Sequence, residues 1–266
     1  MHAHIKNGTL PQRMFMSLDM PDSAGRKGPT RYPEIDIARG VAISMMILFH
    51  LLFDLNFFGL LIVDVYFGFW HFFGIATASL FLLLVGVSLT ISRSRASPAM
   101  DSRGLTLKFL KRGAFLFACG MLVTIATWLY LGEGYVIFGI LQLIGVSVAL
   151  APLLFKTGRY AALCGAALIV AGILVAGIEG PLWLLWAGIH PATFASVDYT
   201  PLLPWLGVVL IGIAGGTWLY PGGMRHFRFQ GLEGRLSRTL QFAGRHSLII
   251  YLVHQPVLVG LITLFR

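Results

Sequence analysis

Apolar residues fill runs at about 37–59, 71–92, 109–131, 135–155, 160–178, 202–220 and 246–265, and the connections between them are short and polar. Roughly 20 apolar residues wound as a helix cross the ~30 Å hydrocarbon core of a bilayer. The pattern therefore predicts an all-α, polytopic transmembrane helix bundle of about seven spans. Residues 1–35 are polar and broken by Pro11, Pro21, Gly25, Gly28, Pro29 and Pro33, with no apolar stretch long enough for a signal peptide. They read as a mobile cytoplasmic tail ahead of a single membrane domain over 36–266. Pro181 to Ile189 is apolar and holds Trp183 and Trp186, yet is too short to cross, which predicts a segment lying along an interface or re-entering.

Composition sharpens this reading. Of 266 residues, 57% are hydrophobic and 12% charged, against about 25% charged in an ordinary soluble domain. One core of this size cannot hold so many apolar side chains, so many must face lipid. Disorder and a disulfide scaffold are excluded by the same numbers, with Cys119 and Cys164 reading as small buried side chains. The net charge of +9 would suggest nucleic acid in a soluble protein, but its distribution points to membrane orientation instead. Arg13, Arg26, Lys27 and Arg31 lie in the tail, Arg93, Arg95, Arg103, Lys108, Lys111 and Arg112 around the second connection, Lys156 and Arg159 in the fourth, and Arg225, Arg228, Arg235, Arg238 and Arg245 in the sixth. The alternate connections carry Asp64, Glu133, Glu179 and Asp198 without Lys or Arg, and Arg266 at the very end is the exception. Basic loops stay in the cytoplasm, which places the N-terminus inside and the C-terminus outside.

Ionisable groups within spans are costly and mark polar cavities or reaction sites. The first run opens with Asp36 and Arg39, read as interfacial, and then carries His50 and Asp54. At 1.5 Å per residue His50 lies about 16 Å beyond Arg39, near the midplane. Asp54 follows at i+4, on the same helix face, placed to orient the imidazole or hold it protonated. In the last run His254 lies about 14 Å from Arg245, so two histidines on different helices share one depth. Tyr251 and Ser247 precede it. Gln142 in the fourth run is a further intramembrane hydrogen-bonding group, suited to an oxyanion or to interhelical bonding. His71 begins the second run about 33 Å from Arg93, at the external interface. P-loop, Rossmann and zinc-type histidine patterns are absent, and His2 and His4 read as a solvated tail rather than a metal site.

Arg31-Tyr-Pro-Glu-Ile-Asp36-Ile-Ala-Arg39-Gly40, followed eleven residues after Arg39 by His50, resembles the opening of the transmembrane acyltransferase superfamily. The branch it resembles holds the bacterial and archaeal relatives of heparan-alpha-glucosaminide N-acetyltransferase, in which a D-x-x-R-G helix is followed by H-x-x-x-D. Phe138-Gly-Ile-Leu-Gln142-Leu-Ile-Gly145, Pro201-Leu-Leu-Pro204-Trp205-Leu-Gly207 and Gly244-Arg-His-Ser247-Leu-Ile-Ile-Tyr251-Leu-Val-His254-Gln-Pro256 agree in order and spacing, so the likeness runs from residue 31 to the end.

The resemblance implies transfer of an acyl group, usually acetyl, from cytosolic acyl-CoA to a sugar or glycan acceptor presented across the membrane. It also implies a histidine base, no metal, and an integral protein of a prokaryotic cytoplasmic (inner) membrane. In the related acyltransferase-3 branch the suspected base occupies the position of His50. In the glucosaminide branch that position is an asparagine and the catalytic histidine lies further on, where this chain offers only His71, at a different offset. Gln142 stands where a histidine would be expected after Phe-Gly-Ile-Leu.

The residues themselves suit that chemistry. Arg39, Arg93, Arg95, Arg112 and Arg245 sit where spans meet basic loops, able to bind the phosphates of CoA, although membrane orientation and lipid headgroups account for many arginines alone. A neutral His50 would accept the acceptor's proton, with Asp54, His71 and His254 as further candidates, and Gln142 or Tyr251 would stabilise the oxyanion. A proton-coupled small-molecule transporter is the alternative, because it too needs His and Asp at the midplane. No internal repeat supports it. Partners are acyl-CoA, a sugar or glycan acceptor and membrane lipids, not nucleic acid, and a homo-oligomer is left open.

Overall fold

The computed structural model describes residues 31–230 and 233–265; the predicted tail up to residue 30 and Arg266 lie outside them. The rest, from Pro33 onward, forms one compact helical unit. Among the described residues nine α-helices follow one another: α1 (Pro33–Phe57), α2 (Gly68–Ala96), α3 (Ser102–Leu131), α4 (Ile140–Ala149), α5 (Ala151–Leu154), α6 (Ala161–Val175), α7 (Leu202–Leu219), α8 (Arg235–Arg245) and α9 (Ser247–Phe265). Short 3₁₀ turns occupy Phe155–Tyr160, Leu182–Ala187 and Pro221–Gly223. Pro181 to Ile189 is thus a short irregular segment, and a bridge pairs Glu179 with His190 around it.

The first helix begins about four residues earlier than the hydrophobic pattern alone suggests. Pro33 opens it with its φ pre-set, and Glu34 and Asp36 complement the positive end of the helix dipole. Helix α3 starts where the Asp101 side chain accepts the Gly104 N–H at 2.8 Å.

Six helical stretches among the described residues are long and apolar enough to cross a membrane, so the chain is a polytopic helical membrane protein. The fourth predicted run, 135–155, departs from the expected length. Gly132 and Gly134 have positive φ, the Thr127 hydroxyl accepts the Val136 N–H at 3.1 Å, and helix begins only at Ile140. Helices α4 and α5 together hold 14 residues, about 21 Å of rise. Gly158, at φ 53° and ψ −125°, then turns the chain into α6.

Close backbone approach at small residues holds the bundle together, as expected where lipid removes most of the hydrophobic drive between helices. Helix α2 meets α7 at Gly86 and Gly212, α3 meets α4 at Gly113 and Gly145, and α6 meets α7 at Gly165 and Gly207. A core of Leu82, Leu89, Phe109, Leu143, Val209 and Ile213, each at most 4% exposed, fills the space between α2, α3, α4 and α7. The start of α1 is tied to the end of α7: Arg225 binds Glu34 through Nε and Nη2, both at 2.7 Å, and the Tyr220 hydroxyl donates to the same carboxylate at 3.0 Å. Partial burial and bidentate geometry make this pair firmer than an ordinary surface bridge.

Candidate functional site

Helices α1 and α9 run side by side. Gly244 at the α8–α9 junction packs on Asp36, and fourteen residues beyond Asp36 and ten beyond Gly244 the His50 and His254 rings meet edge to face at 4.9 Å. The shared depth of the two histidines therefore reflects direct contact. Between α1, α2, α4 and α9 lies one cavity of about 590 Å³, whose wall includes His50, Tyr251, Arg39, Arg112, Arg245, His71, Asp198, Thr200 and Trp205. Its volume falls within the range of small-molecule and cofactor sites.

His50 Nδ1 lies 2.9 Å from the Met46 carbonyl oxygen. A carbonyl can only accept, so a neutral ring carries its hydrogen on Nδ1 and its lone pair on Nε2. That tautomer is the one a general base needs. His254 has the same arrangement, Nδ1 at 2.6 Å from the Tyr251 carbonyl, but it is not part of the cavity wall, and its Nε2 is buried with no partner among the described residues. It supports His50 from behind.

One end of the cavity is basic. Arg39 donates from Nη2 to Ser88 Oγ at 2.5 Å and from Nη1 to Asp36 at 3.3 Å, while Arg245 Nε lies 3.7 Å from the other oxygen of Asp36. Asp36 is 6% exposed, so it is a buried organiser of two arginines rather than the interfacial residue expected. Arg112 joins them on the cavity wall. Arg93 and Arg95 do not line it, and the Arg93 guanidinium stacks instead over the Phe155 ring at 4.7 Å.

The other end is closed by the connection before α7, which carries the residue that sequence reasoning missed. Asp198 was one of four acidic markers of the non-basic loops, yet its side chain turns into the cavity. The loop is sewn to the α3–α4 connection: Val197 N–H donates to Gly134 at 2.8 Å, Thr200 N–H to Phe138 at 2.7 Å, and Ser196 Oγ to Tyr135 at 2.8 Å. Thr200 Oγ1 donates to Asp198 Oδ1 at 2.9 Å, and the Ile140 N–H reaches Oδ2 at 3.4 Å. Burial pushes the Asp198 carboxyl above the usual range, and the Thr200 hydroxyl, His50 and the Ile140 amide each pull it part of the way back. Neighbouring Tyr199 is pushed up to about 12 by burial, so its hydroxyl stays protonated and donates to the Leu185 carbonyl. His71 lies at this loop end, on the cavity wall and exposed.

Two expected site residues are engaged elsewhere. Asp54 is 3% exposed, and its Oδ1 accepts from Gln255 Nε2 at 2.7 Å. Because the His50 ring uses Nδ1 on Met46, Asp54 does not orient the imidazole, although the two are close enough to interact electrostatically. Gln142 is 2% exposed, donates to Thr124 Oγ1 at 2.8 Å and accepts the Gly139 N–H at 3.1 Å. Both ends of its amide are occupied in the α3–α4 seam, and it does not line the cavity. No cluster of three or more His, Cys, Asp or Glu able to hold a metal ion occurs among the described residues.

The family model described as "Heparan-alpha-glucosaminide N-acetyltransferase, catalytic" matches residues 31–256. No curated protein and no solved structure matches the chain.

Proposed function

Because this chain belongs to the heparan-alpha-glucosaminide N-acetyltransferase catalytic family, a family of membrane acetyltransferases, we propose that it moves an acetyl group from acetyl-CoA to an amine or hydroxyl of a sugar or glycan acceptor. One observation carries the reading: a single cavity is lined by Arg39, Arg112 and Arg245 and by His50, whose Nδ1 is committed to the Met46 carbonyl so that Nε2 holds the neutral ring's lone pair. Arginine suits phosphate because its planar fork donates two parallel hydrogen bonds, and Arg39, already positioned by Asp36 and Ser88, loses little freedom on binding. A CoA held there by its phosphates extends its arm along α1. His50 lies eleven residues beyond Arg39, about 16 Å along the helix, deep enough for the thioester to reach it.

In the reaction His50 Nε2 takes the proton of the attacking amine or hydroxyl as its nitrogen or oxygen bonds to the acetyl carbon. The carbon–sulfur bond breaks, and the leaving thiolate recovers the proton from the imidazolium. Tyr251, on the same wall, is the side chain placed to donate to the developing oxyanion. The one-sided distribution of Lys and Arg supports an arginine end in the cytoplasm, where acetyl-CoA is made, and an acceptor entering from the Asp198 end.

Sealed membrane vesicles test donor and orientation together. Inverted vesicles containing the protein are expected to bind radiolabelled CoA, right-side-out vesicles are not, and the affinity should fall as ionic strength rises because the contacts are ionic. Equal binding on both sides, or binding indifferent to salt, counts against the assignment. CoA-independent uptake of a small molecule would instead favour a transporter.

A further inference from the structure

We infer that Asp198 is the acceptor-binding carboxylate of this cavity, taking a hydrogen bond from the attacking amine or hydroxyl and holding it within reach of His50 Nε2. The inference rests on the acetyl-transfer reading and adds to it the residue that selects and places the acceptor.

Position is the first argument. The arginines that suit CoA lie at the start of α1, within α3 and at the end of α8, whereas Asp198 lies in the connection that leads into α7 at the opposite end of the cavity. An anionic carboxylate there would repel phosphate but accept a hydrogen bond from an amine or hydroxyl. His50 on α1 and Tyr251 on α9 both interact electrostatically with Asp198, so the acid, the base and the tyrosine face one space from three separate elements.

The local geometry argues against a role confined to folding. Were Asp198 only the cap of α4, a short hydrogen bond to the helix N-terminus would be expected, but the Ile140 contact is long at 3.4 Å, and Gln142 already accepts the Gly139 N–H. Glycine at 139 makes room for the carboxylate, since a Cβ there would come within 2.5 Å of Asp198 Oδ2. Each carboxylate oxygen has two lone-pair sites; Thr200 takes one on Oδ1 and Ile140 one on Oδ2, leaving acceptor sites on both. A carboxylate kept in a partly buried loop by burial-resisting donors, with capacity left over, is arranged to receive a further donor.

The step balances without any further reagent. The acceptor's N–H or O–H proton goes to His50 Nε2, the new C–N or C–O bond forms, the C–S bond breaks, and CoA leaves as the thiol with that proton. Asp198 takes no proton in the step: the Thr200 hydroxyl, the Ile140 amide and nearby His50 favour its carboxylate form against the burial that opposes it. It holds the nucleophile beforehand and complements the imidazolium charge while it exists.

Glucosamine is the probe acceptor, with acetyl-CoA as donor and release of the CoA thiol as the readout. Asp198→Asn preserves side-chain shape and is expected to raise KM for glucosamine about tenfold or more, the loss of one hydrogen bond to a charged group. KM for acetyl-CoA and the affinity for CoA should stay within about twofold. A merely structural role would move both substrates together. Unchanged KM for glucosamine, or parallel increases for both substrates, overturns the inference while leaving the acetyl-transfer reading standing. If Asp198→Asn does not fold, Asp198→Glu carries the test: it keeps the charge but displaces it by one methylene, and the same split between the two KM values is required. Wild-type protein that transfers acetyl to no sugar would overturn both readings at once.

Discussion

Replacing His50 with alanine should lower acetyl-CoA turnover by roughly 10²-fold or more, the usual scale for losing a general base, while leaving CoA affinity nearly intact. The separation arises because the two functions sit at different places in one cavity. In the proposed reading the arginine end would hold the phosphates, and the imidazole, its Nδ1 committed to the Met46 carbonyl, lies about 16 Å further along α1. His71→Ala, at the loop end of the wall, should do much less. Asp54→Asn should also do less than His50→Ala, because Asp54 is turned to Gln255 and does not line the cavity. Loss of turnover in His71→Ala with full activity in His50→Ala would show that the base lies at the loop end.

The largest expected effect on stability comes from a residue with no side chain. A Cβ at Gly244 would clash with the carbonyl oxygen of Asp36, and one at Gly40 with that of Leu240, so α1 and α8 lock backbone to backbone at two points. Neither contact ends on a flexible side chain that can move aside. Gly244→Ala should therefore destabilise the folded protein by about 2 kcal/mol or more, in the upper half of the usual range for overpacking or beyond it. Because α8 delivers Arg245 to the cavity, CoA affinity should fall with it. Gly260 in α9 supplies the control, having nothing within 4 Å of a built Cβ. Thermal unfolding in detergent compares the two: a Gly244→Ala midpoint matching Gly260→Ala would mean that the helices separate at little cost.

The spans could be read from the sequence because hydrocarbon allows few alternatives to a long apolar helix. The fourth run was the exception. Its apolar residues 135–139 are extended rather than helical, because glycines with positive φ at 132 and 134 and the pairing of Phe138 with Tyr199 direct the chain across the loop end first. Periodicity does not register that kind of long-range pairing.

At the site, spacing along one helix was informative and pairing between helices was not. The distance from Arg39 to His50 follows from helical rise, and three of the five proposed CoA arginines do line the cavity. Asp54 at i+4 from His50 has the right spacing, but which neighbour a carboxylate meets is decided by α9, where Gln255 is nearer. Gln142 has the chemistry of an oxyanion donor, but its amide is engaged by Thr124 and Gly139 inside the α3–α4 seam, off the cavity wall. Asp198 failed in the opposite sense. As one acid in a loop without basic residues it carried topological information, and only its proximity to the Thr200-Pro201 start of α7 could have drawn attention to it. Its burial depends on two loops stitched together across more than fifty residues of chain.

Release of CoA thiol by the purified protein is the most direct test of the central claim. Acetyl-CoA and glucosamine together should yield thiol and N-acetylated sugar in equal amounts, acetyl-CoA alone should yield little, and His50→Ala should yield almost none. Thiol release that ignores the sugar, or that survives loss of His50, would contradict the account of this cavity as the place where an acetyl group changes hands.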